Sequence, residues 1–456
     1  MLDNRERNVG MNNSKYVQIA NTIEQRIKDN QYSVNSKLPP HRLLADEFKT
    51  TPVTVAKAYK LLSSKHIVES FVGRGTFVCG ESALNQAIQP PEDDDNYNFS
   101  ILQPCLYKNL VPLKNAMQKA AEELSADFIG YTEHSGHESH RLAGVNWAKH
   151  FGLVGGTIQN TLLTDGAQHA LSLLIHAMTK PGDTIAVEEL TYPGILAIAS
   201  LAGRKVVGVP LDEEGVSPEA LEMVIRQHKP KLVIIIPSHQ NPTGITMPES
   251  RRRSVAKVID KYATWLVEDD IYCFLDKSPI PAISNFIPEK SFHISGLSKA
   301  ISPALRCGYL KVPESQIGKI NTHIRANIWL SSPITYMLAT SLIDSGEAFE
   351  IAKLQRETAI ERQLIASNYL QGVQNSPSGY HVWLPLPSHW TRERFLVEAS
   401  RRDIIVSSGG YFSVSGENSD FIRLSLMAIS SEQRLKEGLQ MLKELMLSDM
   451  QTNFSY

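Results

Sequence analysis

From about residue 99 onward the chain alternates short, unbroken apolar runs with longer stretches of helical periodicity, and few folds accept that pattern. Asn160–Thr164 is followed by the helical Gln168–Met178, and Thr184–Val187 by Tyr192–Leu201. Lys231–Ile236 is followed by Pro248–Tyr262, and the runs Thr264–Val267 and Ser291–Ile294 come next. An apolar run with no polar alternation must be covered on both faces. Strands of that kind between helices predict a mostly parallel sheet with helices on either side. In such sheets ligands sit beyond the carboxyl ends of the strands, so the residues just after each run are where chemistry is expected.

Those residues are unusual. The first run ends in Thr164–His169, a turn into a helix whose first amides can hold a phosphate. The second leads to Thr191–Gly194, which offers an aromatic face. The third leads to Pro237–Gly244, whose Asn241 can donate to a phenolate oxygen. The fourth gives Glu268–Tyr272, carboxylates followed by a phenol. The fifth delivers Lys299, with serines around it and Arg306 seven residues on. Taking an ammonium out of water is costly, and a lysine at a strand end needs a reason to be there. One reason is Schiff-base formation with an aldehyde whose phosphate is held by nearby hydroxyls and a guanidinium. That aldehyde would be pyridoxal phosphate.

Five such turns in this order resemble the fold-type-I pyridoxal-phosphate aminotransferases over nearly all of residues 99–446. The resemblance implies a mostly parallel central sheet and a smaller C-terminal α+β subdomain, mainly from about residue 340. It implies that Lys299 forms the aldimine and that Asp269 pairs with the pyridinium nitrogen. Asn241 and Tyr272 would hydrogen-bond the ring oxygen, and Tyr192 would stack on the ring. Ala167, Gln168, Ser298 and Arg306 would bind the phosphate. Arg423, in Phe421–Leu426, matches an arginine that grips the carboxylate of an amino-acid ligand. Tyr131 matches a tyrosine that reaches the partner subunit's phosphate, which implies a homodimer. Asp270 competes for the pyridinium role, but the spacing to Tyr272 favours Asp269. One departure is Gly296, where a hydroxyl residue commonly stands.

The N-terminal part reads differently. Residues 1–80 carry twelve Lys and Arg against seven Asp and Glu, although the whole chain of 456 residues has a net charge of −2. A basic module is therefore hidden in a neutral chain. After a start over 1–13 that reads as disordered, the module spans 14–79. An amphipathic helix runs from Tyr16 through Ile19, Ile23 and Ile27. A second helix starts about Pro40. A third starts at Thr51, an N-cap followed by Pro52, and turns Val55, Ala58, Leu61 and Leu62 inward. Ile67–Val78 reads as a hairpin with Gly73, Arg74 and Gly75 at its tip. Leu38, Pro39, Arg42, Leu44 and Ala45, then Thr51, Thr54 and Val55, then the glycine wing, together resemble the winged helix-turn-helix of the GntR family. The resemblance implies double-stranded DNA as a partner. Arg42 would reach a phosphate or base, Thr51 and Thr54 the backbone or base edges, Lys57 a phosphate, and the tip the minor groove. Members of that family often carry an arginine where Pro52 stands.

Residues 80–98, with Pro90, Pro91 and the acidic run Glu92–Asp95, read as a linker, and 447–456 as a tail. The four cysteines have no metal-like or disulfide-like spacing, and no apolar run approaches the roughly 20 residues of a membrane span. A cytoplasmic protein is expected. His134, His137 and His140 are spaced by three, which suggests solvated or locally bonded rings rather than a metal site. The two modules in one chain resemble the MocR subfamily of transcription regulators. That implies a homodimer whose aminotransferase-like part senses a small amine or amino-acid effector, or the cofactor itself, and biases the DNA-binding heads. The alternative is a working aminotransferase with an accessory DNA-binding head.

Overall fold

Val55, Ala58 and Leu62 recur at helical spacing, and all three are fully buried. They lie on α3 (Pro52–Ser64), packed with α1 (Lys15–Lys28) and α2 (His41–Glu47) around Ile19, Ile23, Leu38 and Leu44. Thr51 caps α3: the Thr54 amide donates to its hydroxyl at 3.3 Å, and Pro52 takes the first helical position. The chain returns through an antiparallel hairpin, β1 (Val68–Phe71) and β2 (Gly75–Val78), with Val68 opposite Val78. Two bonds tie β2 to the segment before α2: the Leu38 amide donates to Thr76 at 2.8 Å and the Val78 amide to Ser36 at 3.0 Å.

The computed structural model describes residues 15–29, 31–32, 36–64, 67–71, 75–78, 96–131, 133–371, 376–416 and 420–448. The expected disordered start, most of the expected linker, Gly73 and Arg74 of the wing, Cys79 and the last eight residues lie outside them. The chain divides into two compact units, Met1–Gln86 and Ala87–Tyr456.

The second unit is built on seven strands: β3 (Thr161–Asp165), β4 (Thr184–Glu188), β5 (Lys205–Val209), β6 (Leu232–Ile235), β7 (Trp265–Asp269), β8 (Ser291–Gly296) and β9 (Cys307–Lys311). Their spatial order is β3-β9-β8-β7-β6-β4-β5. Every pairing is parallel except the two made by β9, which runs against both neighbours. Helices Ala167–Met178 and Pro193–Leu201 pack Leu171, Leu174 and Ile195 on one face. Helices Pro218–His228 and Glu249–Asp260 pack Leu221, Ile225 and Val255 on another.

Two of the seven strands do not show the apolar run that marks the others. β5 is an edge strand with a half-exposed middle, and β9 contains Gly308 and Lys311. Lys311 is 3 % exposed, and its ammonium is held by the Pro288 carbonyl and by the Ser291 carbonyl at 3.4 Å. Burial lowers its pKa to about 8.

A smaller sheet of His381–Pro385, Phe421–Ser425 and Ser407–Ser408 is antiparallel throughout. Helices Arg392–Ser400 and Glu432–Leu447 cover it through Phe395, Leu435, Leu439 and Leu442. Tyr97–Asn98 pairs parallel with Ile404–Ile405, so the chain enters the second unit along this smaller layer. Among the described residues no helix is long and apolar enough to cross a membrane.

Candidate functional site

The carboxyl ends of β3, β7 and β8 open on one cavity of about 360 Å³. Ala167, Gln168, Tyr192, Asn241, Asp269, Tyr272, Ser298, Lys299, Arg306 and Arg423 all line it. Ten positions from five separate turns and one strand of the smaller sheet, expected from sequence to line one site, are thus brought together.

Lys299 follows β8 in the turn to β9. Its ammonium donates to the Leu102 carbonyl at 2.7 Å. Burial lowers its pKa to about 8, helped by the charges of Arg423 and Arg306 and opposed by Asp269. Asp269 ends β7 at 2 % exposure. Burial raises its carboxyl to about 7, reinforced by Asp270 and offset by His293 and Lys299. Among the described residues its Oδ1 has no hydrogen-bond partner. Asp270 does not line the cavity. It faces His293 at 3.6 Å and Arg252 at 3.9 Å. Burial would raise its carboxyl, but His293 and Arg252 outweigh that and lower it. Successive strand-end residues point to opposite sides, and this separates the two aspartates that share one motif.

Arg423 on the smaller sheet is 4 % exposed. It donates to Asn241 Oδ1 at 2.9 Å, to Ser407 Oγ at 3.0 Å and to the Ser100 carbonyl, and its charge sits 5.0 Å from the Phe412 ring centre. No carboxylate lies within ion-pair distance of it among the described residues, its Nε is unbonded, and burial lowers its pKa to about 10. A buried guanidinium without an anion is costly, and it lines a cavity that can admit one. By accepting from Arg423, the Asn241 oxygen fixes the amide and leaves its nitrogen as the free donor. Burial raises the phenol pKa of both Tyr192 and Tyr272, keeping them neutral.

At the other end, Gly166 (φ +79°) precedes the helix Ala167–Met178. A Cβ there would lie 2.6 Å from Arg306 Nη2, so backbone and guanidinium close on each other with room for no side chain. Arg306 donates to the Asp165 carbonyl at 2.9 Å. Helix amides, Ser298 and a guanidinium make an anion cradle. Gly296 has a packing cause: a Cβ would sit 2.8 Å from the Cys307 carbonyl of β9. The cradle, the buried carboxylate with its Oδ1 unbonded among the described residues and the amine of lowered pKa fit a phosphorylated pyridine aldehyde.

Sequence reasoning did not find Ser100–Gln103 or Phe412, which also line the cavity. The contacts made by Ser100 and Leu102 are main-chain carbonyls, which leave no mark in residue type. Tyr131 is not among the lining residues; it is 88 % exposed, with its ring 5.9 Å from that of Trp329. The three histidines are each engaged locally. His134 meets the Trp329 carbonyl at 3.0 Å, His137 meets Ser139 at 2.8 Å, and buried His140 meets Thr340 at 2.8 Å. Cys105, Cys273 and Cys307 are buried free thiols.

In the first unit, Arg42 on α2 and Thr51 and Lys57 on α3 are exposed, and Thr54 is half-buried with its hydroxyl 2.9 Å from that of Thr51. Gly75 opens β2. Val53 at the start of α3 is 67 % exposed. It carries no polar group and gave no signal in the sequence.

Residues 94–442 match the family of aminotransferases class I and II, and residues 15–78 match the gntR family of bacterial regulatory proteins. The chain is 29 % identical over 443 residues to an uncharacterised HTH-type transcriptional regulator, YdeF, of Bacillus subtilis (strain 168), covering 94 % of each chain. It is 26 % identical over 428 residues to the vitamin B6 salvage pathway transcriptional repressor PtsJ of Salmonella typhimurium LT2, covering 91 % of this chain and 95 % of that one. Among solved structures, the kynurenine aminotransferase of Pyrococcus horikoshii superposes with a TM-score of 0.71 at 22 % identity, over 78 % of this chain and 91 % of the other.

Proposed function

The chain belongs to the aminotransferase class I and II family and carries a gntR-type head, and from that premise we propose that it is a pyridoxal-phosphate-dependent transcription regulator of the MocR kind, acting in the cytoplasm. The observation that carries the proposal is the presence, in one chain, of a gntR-type head and a cavity lined by ten of the eleven expected ligand residues. The match to transcription regulators over both parts supports it.

Pyridoxal phosphate, when bound, supplies an aldehyde to an amine and an electron-withdrawing ring. The chain's own residues do the rest. Arg306, Ser298 and the first amides of the helix Ala167–Met178 take the phosphate. Asp269 meets the ring nitrogen, and Asn241 and Tyr272 donate to the ring oxygen. Tyr192 covers one ring face. Lys299, with its pKa near 8, keeps part of its amine neutral at physiological pH and is the nucleophile. Arg423 binds the carboxylate of a small amino-acid effector. Tyr131 reaches the phosphate site of a second copy, making the working form a homodimer. In the head, Arg42, Thr51, Thr54, Lys57 and the wing residues Gly73, Arg74 and Gly75 meet DNA, with Val53 placed to touch a thymine methyl.

The same cavity could support aminotransfer, since amine exchange at Lys299 precedes both sensing and turnover. Two measurements separate them. Footprinting of the full-length protein on genomic DNA should give discrete sites. Mixing with amino acids and a keto-acid acceptor should give at most a single round of exchange. Sustained turnover without sequence-specific DNA binding would overturn the regulator role.

A further inference from the structure

Of the three cavity cations, Lys299 and Arg423 are both bonded to one short stretch of main chain. Lys299 donates to the Leu102 carbonyl at 2.7 Å, and Arg423 donates to the Ser100 carbonyl, two residues away. This stretch is where the chain enters the second unit. It is built as a defined strap rather than a loose loop. Asn98, 7 % exposed, turns its oxygen back onto the Ser100 amide at 2.9 Å and the Ser100 hydroxyl at 2.7 Å. Phe99 is fully buried, its amide donating to Ile405 at 2.8 Å and its carbonyl accepting from Ser425 at 2.7 Å. Arg434 holds the Asn96 carbonyl at 2.9 Å, and Tyr97 donates from its amide to Asp403 at 2.7 Å.

We propose that residues 96–103 are the output element of the cavity: filling it takes Lys299 and Arg423 away from the Leu102 and Ser100 carbonyls, and the released strap passes the change to the chain that leads to the head. The proposal rests on the cofactor and effector roles given above. Its physical basis is donor competition. When the Lys299 ammonium gives one proton to solvent and the amine condenses with an aldehyde, a C=N bond forms, the C=O bond breaks, and the two remaining hydrogens leave with the aldehyde oxygen as water. The donor to Leu102 is then lost. A carboxylate arriving at Arg423 competes in the same way for the guanidinium hydrogens now given to Ser100. Buried carbonyls that lose a charged donor must find another partner or move. The strap answers to both ligands, and Asn98, which holds the Ser100 amide and hydroxyl, is its positioning residue.

The test is hydrogen–deuterium exchange on the full-length protein, with and without pyridoxal phosphate. Amides of 96–103 should exchange about tenfold faster on loading, the effect of losing one charged hydrogen bond. Peptides at the start of the helix Ala167–Met178 should be protected at the same time. Asn98→Ala should still take up pyridoxal phosphate, read from its absorbance, yet show fast exchange in 96–103 before loading and little further change. Protection at 167–178 with unchanged exchange in 96–103 overturns the strap and leaves the cofactor role standing. No response at 167–178 overturns the cofactor role itself. Should Asn98→Ala fail to fold, Asn98→Ser, with a shorter acceptor, is expected to give an intermediate basal rate, and a wild-type rate there counts against the proposal.

Discussion

Burial and the charges of Arg423, Asp269 and Arg306 set the charge of Lys299, and pH reads it out. With the Lys299 pKa lowered to about 8, the neutral amine, and with it the rate of capture of pyridoxal phosphate, should rise with pH and level off above about 8. The sign follows from the neutral amine being the nucleophile. Arg423 is one of the charges holding that pKa down, so Arg423→Gln should move the midpoint upward in a stopped-flow pH series. The same substitution should weaken amino-acid binding to the loaded protein by about 2 kcal/mol, roughly thirtyfold, the size of a lost charge-assisted pair. An unmoved midpoint together with unaltered binding would remove Arg423 from the site. The residue types at these positions were legible because each follows an apolar run and carries chemistry that cores avoid. Arg423 was harder to read, since an arginine in a strand can simply pair with an acid. Only the structure shows that among the described residues it has none.

At the scale of elements, the half-exposed edge strand β5 gave no signal, whereas β3, β4, β6, β7 and β8 were legible from their apolar runs. The reversed strand β9 was not, because Gly308 and the buried Lys311 interrupt its pattern. The close approach of β8 and β9 was also hidden. It makes Gly296 a packing requirement, so Gly296→Ser, although it restores a hydroxyl near the phosphate cradle, should destabilise the protein by about 1–3 kcal/mol. A thermal melt of the variant checks this, and an unchanged midpoint would mean the strands yield readily. In the head, Thr51→Ala removes the cap of α3 and should cost about 1 kcal/mol in stability. Calorimetry on the full chain can resolve this if the two units melt separately. The strap at 96–103 was illegible for a different reason: it acts through carbonyls, and a one-dimensional code of side chains does not record where a carbonyl points.

For the whole molecule, a near-neutral chain has a positive surplus in its first 80 residues, so DNA binding should weaken steeply with salt. Lys57→Ala should weaken binding alike on every sequence and lower the salt slope by about 1 per head. A change confined to one base position would instead mark Lys57 as a base reader. The division into a basic helical head and an α/β body was legible from charge and periodicity alone. The proposed sensing role rests on one amine. The most direct measurement is to incubate the full-length protein with pyridoxal phosphate, reduce it with borohydride, digest it and locate the added mass. A stoichiometric phosphopyridoxyl group is expected on the peptide containing Lys299, absent in Lys299→Ala. Label spread over surface lysines, or none at Lys299, would contradict it.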